Sequence, residues 1–330
     1  MKALVYTGPG ELEFVDVDDP VPETDFSLVR VDSTGICGSD MHGFLGHDER
    51  RPPPLILGHE ASGTVVSGAF EGRRVTVNPL VTCGYCRECC AGRTNICGER
   101  RILSMPPLEG TFAELVAVPD ANLVEVPPGV PFEHAALTEP VAVCWHAVRL
   151  AGDMPYVTLR DSSCLVLGGG AIGVGLALCL ELAGAENPCI IETNDGRRSF
   201  LEDVTELRVI PARAEALPRD SWDLVFDAVG SAESRRESCR LIHQGGAIIH
   251  LGLHSGEGGF DARRATLQEF CFLGTYAYTE TDFRDAAEAI FAGRLGPLDW
   301  YETRPLSDGL GTFEDIRNAR VPHPKIILKP

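Results

Sequence analysis

From Ser162 onward, short apolar runs alternate with longer stretches in which apolar positions recur at helical spacing. Cys164 to Leu167 reads as a strand, Ala171 to Ala183 as a helix, and Cys189 to Glu192 as the next strand. Further strands are expected at Asp223 to Ala228 and at Ala247 to Leu251. Strand, helix and strand in this order predict parallel βαβ units. Near Asp282 to Ala292, Phe283, Ala287, Ile290 and Phe291 share one helical face, with Thr281 or Asp282 to cap it and Gly293 to end it. The closing Lys325 to Pro330 reads as a last strand. Before about residue 148 the pattern differs. Ala3 to Tyr6, Ser27 to Val31, Gly63 to Val66 and Arg74 to Val77 are short β-prone runs separated by proline and glycine, which predicts a mostly β domain with irregular loops. No internal repeat or low-complexity segment is present.

Ser162 to Leu180 carries no charge, so a membrane span has to be weighed. Five glycines interrupt it, and three of them carry a different meaning. Gly168, Gly170 and Gly173 form G-x-G-x-x-G directly after a strand and at the mouth of a helix. Gly168 permits the tight turn, Gly170 lets backbone approach a pyrophosphate, and Gly173 lets helix pack on strand. Glu192 ends the following strand, where a carboxylate can bind the hydroxyls of an adenosine ribose. That favours NAD, because a 2′-phosphate would be repelled. Arg197 and Arg198 follow closely and leave NADP open, since either could pair with such a phosphate or simply begin a solvated helix.

The chain has 330 residues, enough for two domains, and a formal charge of −19, which argues against nucleic acid or an anionic membrane as partner. Lysine is nearly absent while arginine is plentiful. Twelve cysteines could suggest disulfides, yet the first residues lack the apolar stretch of a signal peptide and a chain of this size needs no staples. A reduced, cytoplasmic setting with metal-bound and buried thiols is expected. Cys144, Cys164, Cys179, Cys189, Cys239 and Cys271 lie in apolar surroundings and read as core residues.

Cys83, Cys86 and Cys89 recur at every third position and Cys97 returns after a short loop. Four thiolates on such turns satisfy tetrahedral zinc with no open position, which makes a structural site. Cys90 is a neighbour that could compete for the metal. A second set is open: Cys37, Ser39, Asp40 and His42 stand in one motif, and Gly58, His59 and Glu60 in another. A cysteine, a histidine and one acid can hold a catalytic zinc with a free position. Neighbours on a regular strand point oppositely, so His59 and Glu60 can share a metal only if the backbone turns there. His47, His134, His146 and His323 read as polar residues with local partners.

Gly35 to Asp40, Gly58 to Glu60, the cysteine lobe, Glu139-Pro140 and the Gly168 to Gly173 fingerprint together resemble the zinc-containing medium-chain alcohol dehydrogenases, nearest the sorbitol and polyol dehydrogenase branch, over essentially the whole chain. The resemblance implies an α/β protein: a GroES-like, mostly-β catalytic domain over 1–148 with the structural-zinc lobe, a Rossmann domain with a doubly wound parallel sheet over 149–281, and a segment 282–330 that returns to the catalytic domain. It implies one catalytic and one structural zinc, and NAD with NADP as the alternative. Cys37 and His59 become zinc ligands, Glu60 and Glu139 alternative or successive ones, and Asp40 the residue that orients His59. Ser39 takes the alcohol proton, and His42 delivers it to water by way of the nicotinamide ribose. Ile172, Leu251, Leu253 and Tyr276 match positions that line the cofactor. The implied partners are a small alcohol or carbonyl compound and further copies of the chain, as a homodimer or homotetramer. Two positions depart from the polyol pattern: Gly43 replaces an aromatic residue and Ala277 an arginine, which suggests a roomier, less polar wall. A threonine-type amino-alcohol dehydrogenase and a nucleotide-binding redox sensor without turnover are the alternatives.

Overall fold

The computed structural model describes residues 1–155, 157–212 and 217–330. Six parallel strands form the nucleotide half, in the spatial order Arg208–Pro211, Cys189–Glu192, Cys164–Leu167, Trp222–Asp227, Ile242–His250 and Cys271–Gly274. Numbered by occurrence this is 3-2-1-4-5-6, the doubly wound arrangement whose direction reverses beside the first strand. The first two strands occupy the residues that the apolar runs predicted. The fourth begins one residue early, and the fifth extends back to Ile242 because strand pairing carries it past the apolar run.

Helix Ala171–Leu182 opens at the fingerprint, with Gly170 as its N-cap residue. The late helix runs from Glu280 to Phe291, and its cap is Thr279 rather than Thr281 or Asp282. Thr279 Oγ1 accepts the Asp282 N–H at 3.2 Å while the Asp282 carboxylate accepts the Thr279 N–H at 3.0 Å, a reciprocal capping box. This helix, Ala171–Leu182 and the long helix Thr138–Gly152 bury Phe283, Leu176 and Val141 in one core with the sheet residues Val166, Phe226 and Ile249. Among the described residues, no helix is long and apolar enough to cross a membrane, and the uncharged run divides into a strand, a turn and a helix.

The other half is mostly β. Seven strands form its main sheet: Leu123–Glu125, Arg74–Val77, Glu60–Ser67, Phe26–Gly35, Lys325–Lys329 and Tyr301–Pro305 in order, with Leu115–Pro119 also on Phe26–Gly35. Val29, Val31, Val65, Val75, Val77 and Val118 fill its core, as alternation on a one-sided sheet requires. The last strand decides the site. Lys325–Lys329 pairs antiparallel with Phe26–Gly35, Ile327 facing Gly35, and Gly35 faces Glu60 on the next strand. Residues from the two ends of the chain are thereby set side by side.

Candidate active site

A buried carboxylate organises the open ligand set. Asp40, in the first turn of helix Gly38–Phe44, accepts the Cys37 N–H at 3.0 Å and the Gly58 N–H at 3.2 Å, and its Oδ1 lies 3.3 Å from Nδ1 of His59. The last contact is set by charge more than by alignment, because Nδ1 has no well-formed hydrogen bond. Burial alone would raise the Asp40 carboxyl, but His59 and Arg51 outweigh it and hold its pKa below the usual value. With Nδ1 turned to Asp40, Nε2 is the nitrogen available to a metal. Gly58 supplies the turn that the neighbouring ligands demand. Its φ is +91°, and a Cβ there would lie 2.4 Å from the Phe112 ring, so a side chain is excluded both by conformation and by space. Cys37, His59 and Glu60 therefore converge, their donor atoms all within 4.8 Å of one another.

Two partners of this group were not legible in the sequence. Lys325 is one of only three lysines, and its ammonium donates to both Glu60 oxygens at 2.7 and 2.6 Å and to the Ile36 carbonyl at 2.9 Å. A lysine inside an apolar strand of a lysine-poor chain was the available signal. Tyr278 donates its hydroxyl to Oε1 of Glu139 at 3.0 Å. Glu139 is buried beside the group but is not among the three converging donors. Burial pushes its pKa up to about 7, with His59 opposing and Glu60 adding to the rise.

Ser39 sits on the same helix. Its carbonyl accepts from Arg51 Nη1 at 3.2 Å and its hydroxyl from Arg51 Nη2 at 3.4 Å, and Arg51 is in turn paired with Asp48 at 2.6 Å. The Arg51 side chain fills the space above Gly43, where an added Cβ would lie 3.0 Å from Arg51 Cδ. The wall at Gly43 is thus packed, not roomier as the sequence suggested. Ala277 holds a φ of +46°, an uncommon backbone for alanine, beside the Tyr276 and Tyr278 pair. His42 is half-buried. Burial, then the neighbouring His254 and His47, lower its pKa below 6.5, with Asp48 opposing.

A cleft of about 790 Å³ runs from Cys37, Met41 and Glu60 along Gly168, Gly170, Ile172 and Gly173 to Glu192 and Arg197. Gly173 is obligatory, because a Cβ would lie 1.8 Å from the Gly168 carbonyl oxygen. A Cβ on Gly170 would meet nothing within 4 Å, which leaves open space at the helix N-terminus where a pyrophosphate fits. Glu192 accepts the Gly169 N–H at 2.9 Å and the Asn194 N–H at 2.7 Å, so the acid is tied to the fingerprint turn. The two arginines separate. Arg197 lines the cleft with Nη1 3.6 Å from Glu192, whereas Arg198 pairs with Asp195 at 2.6 Å on its own helix. Leu251 and Leu253 lie beyond the strand Ile242–His250 and Tyr276 beyond Cys271–Gly274, at the carboxyl ends of the sheet but outside the lining of this cleft. His323 does line it, its ring tilted 60° against Phe200 with 4.3 Å between centroids, which the sequence had not indicated.

In the cysteine lobe, Cys83, Cys86, Cys89 and Cys97 bring their sulfurs within 4.8 Å of one another. Cys83 lies 3.9 Å from Cys89 and 3.5 Å from Cys97. Four sulfurs at about 2.3 Å from a central zinc stand about 3.8 Å apart, so the set fits that ion. The Cys89 N–H on Cys86 holds that thiol down at about 6, in favour of the thiolate. Cys90 stands outside the group, exposed, with its thiol toward the Tyr85 carbonyl at 3.4 Å. Of the six cysteines read as core, five are buried; Cys271 is exposed because its strand forms the sheet edge. All twelve are free thiols. Replacing Cys97 by serine is expected to remove one zinc per chain and to lower the melting temperature by about 5 °C or more, because such a metal stabilises only the folded lobe. Metal quantification with a thermal melt checks this; an unchanged melt with a full zinc complement would overturn it.

Two family models match the chain: an alcohol dehydrogenase GroES-like domain over residues 24–128 and a zinc-binding dehydrogenase over 171–292. The L-galactonate-5-dehydrogenase of Escherichia coli K12 is 30% identical, with 89% of this chain and 88% of the relative aligned. The D-xylulose reductase A of Aspergillus niger is 28% identical over 92% of this chain and 88% of the relative. Among solved structures, a Sinorhizobium meliloti 1021 protein bound to NADP superposes with a TM-score of 0.88 at 29% identity, covering 100% of this chain and 99% of the other.

Proposed function

Because the chain belongs to the zinc-containing medium-chain alcohol dehydrogenases, on their polyol branch, we propose that it oxidises a secondary hydroxyl of a polyol or sugar-derived substrate to the ketone and passes the hydride to NAD. It is an oxidoreductase that uses zinc and a nicotinamide dinucleotide. The observation that carries the reading is the meeting of a Cys37, His59 and Glu60 donor set with the open cradle at Gly170 in one continuous cleft. Relatives named for a xylulose and for a galactonate support a polyhydroxylated substrate. Residues 1–148 and 282–330 form the catalytic half in this reading and 149–281 the nucleotide half, supported by the pairing of Lys325–Lys329 with Phe26–Gly35.

Zinc held by Cys37, His59 and an acid would supply Lewis acidity toward the substrate oxygen. The chain's own residues do the rest. Asp40 fixes the His59 ring and the Cys37 backbone together, so that the two donors keep their spacing. Lys325 neutralises Glu60 and holds its carboxylate at the edge of the donor set, while Glu139, held by Tyr278, is a second carboxylate within electrostatic reach. Ser39, whose hydroxyl oxygen accepts from Arg51 at 3.4 Å, would take the substrate hydroxyl proton as it passes its own on, with His42 as the group that finally holds it. Glu192 would hold the adenosine ribose, with Arg197 beside it on the cleft wall. An amino-alcohol substrate or a binder without turnover is not favoured.

His42 must be neutral to receive the proton. Since burial and its histidine neighbours lower its pKa, the neutral form persists below pH 6.5 and is lost only as pH falls further. The expected pH profile of alcohol oxidation therefore has an acid limb centred below 6.5, and His42→Gln removes that limb and slows oxidation about 100-fold. An acid limb unchanged in the variant would take His42 out of the relay.

The exposed edge strand Cys271–Gly274, with Phe272, Phe260 and Leu267 exposed around it, is the surface for self-association into a dimer or tetramer. The free thiols fit a reducing, cytoplasmic setting. The deciding experiment measures NAD and NADP reduction by the zinc-loaded protein on polyol, sugar-acid and amino-alcohol panels. Turnover restricted to amino alcohols, or none at all, would overturn the reading.

A further inference from the structure

We propose that Asn95 of the cysteine lobe is a positioning residue for the buried acid Glu139, acting through the turn that carries Tyr278. The proposal rests on the dehydrogenase reading above and gives the lobe a part in the reaction besides stability. Asn95 lies in the short turn Thr94–Ile96, just before Cys97, and is 5% exposed. Its amide Nδ2 reaches out of the lobe in two directions. It donates to the Tyr276 carbonyl at 2.8 Å and lies 3.3 Å from Nε2 of His146. Nδ1 of His146 faces the Asp282 carboxylate at 2.7 Å, which requires the proton on Nδ1 and leaves Nε2 to accept from Asn95. The partners of His146 are thus 51 and 136 positions away, not local as the sequence suggested.

These contacts join segments that the open site needs aligned. Glu139 is kept beside the donor set because the strand that begins at Glu60 holds the preceding helix, Ser62 Oγ donating to the Phe132 carbonyl at 2.6 Å. Glu139 and His146 stand on one helix, Thr138–Gly152, about two turns apart. Tyr276 and Tyr278 belong to the crossing between strand Cys271–Gly274 and helix Glu280–Phe291, and Asp282 to the first turn of that helix. Among the described residues, Tyr278 is the one hydrogen-bond partner of the Glu139 carboxylate, at 3.0 Å. Ala277, between the two tyrosines, has a φ of +46°, a left-handed backbone that an alanine keeps only where its surroundings impose it. The Asn95 amide is such a restraint, because it fixes the carbonyl of the peptide that enters Ala277. Released from it, the turn relaxes and the Tyr278 hydroxyl is no longer aimed at Glu139. Arg100, 5.0 Å over the Tyr276 ring, and Thr94, accepting the Glu280 N–H at 3.0 Å, dock the lobe on the same crossing. Neither bonds to the Tyr276 carbonyl, so Asn95 carries the alignment.

The test uses the zinc-loaded enzyme with NAD and the best substrate of the panel above, in Asn95→Ala, Asn95→Asp, Tyr278→Phe and the double variant Asn95→Ala with Tyr278→Phe. Asn95→Asp keeps the shape of the side chain and lacks the donor. Tyr278→Phe is expected to lower kcat about tenfold, the worth of one hydrogen bond to a charged group. Both Asn95 variants lower it nearly as far, and the double variant falls no lower than Tyr278→Phe, since the two residues act in series. Substrate KM and NAD affinity stay at parent values. The second readout is the visible spectrum with cobalt exchanged into the open site and zinc kept in the lobe. Asn95→Ala and Tyr278→Phe alter that spectrum alike, whereas Thr94→Val, which removes another contact of the lobe with the crossing, leaves kcat and spectrum unchanged. Parent kcat and spectrum in both Asn95 variants, losses that add in the double variant, or an equal loss in Thr94→Val would overturn the positioning role. Loss of lobe zinc in both Asn95 variants would overturn it as well, by making the effect one of folding. A parent without turnover would overturn the dehydrogenase reading, and the spectrum would then decide the positioning role by itself.

Discussion

Cys37→Ser is expected to lower kcat for alcohol oxidation by about 1000-fold or more while NAD binding is unchanged, since Lewis-acid activation is worth several kcal/mol and each 1.36 kcal/mol is tenfold. The substitution removes the thiolate from the donor set of Cys37, His59 and Glu60. It keeps the backbone N–H that Asp40 holds at 3.0 Å, so the start of helix Gly38–Phe44 and the position of Gly58 survive. The fingerprint and Glu192 lie on a different sheet with its own core. Steady-state kinetics, zinc content and NAD titration of one preparation check the three parts. Retained turnover would remove Cys37 from the reaction, and loss of NAD binding would refute the division of labour between the two halves.

Lys325→Met is expected to cost about 3–5 kcal/mol of stability, because it leaves the Glu60 carboxylate buried without its cation. Lys325 and Glu60 are 3% and 1% exposed, so water cannot take over the lost partner. The methionine keeps the length and packing of the side chain, which isolates the charge. Two measurements identify the cause. Glu60→Gln combined with Lys325→Met is expected to recover most of the loss, since both charges are then gone. The cost is also expected to shrink when zinc is loaded, because a second cation then faces Glu60. Urea unfolding with and without chelator reads both. A single variant as stable as the parent would show that the pair has no role in stability. An equal cost with and without zinc would place Glu60 away from the metal and favour Glu139.

The sequence by itself determined the two halves of the molecule. An apolar four-residue strand, three glycines and an acid are local facts, and local geometry enforces them: the Gly173 to Gly168 approach leaves no space for a side chain. The cysteine lobe is likewise a product of spacing within one short segment. The ligand motif was legible to the extent that Gly58 could turn the chain, and it does. The tertiary structure decided the rest. Lys325 reaches Glu60 across 265 positions of sequence because the last strand enters the first sheet in one register. Tyr278 finds Glu139, and Arg51 occupies the space above Gly43, by packing that no periodicity encodes. Whether Arg197 or Arg198 faced the cleft depended on the rotation of one helix, and Cys271 became exposed because its strand ends a sheet. Turns, caps and close approaches are set within a few residues and can be read along the chain. Charge pairing and the shape of a pocket arise from segments distant in sequence, so only the folded chain fixes them.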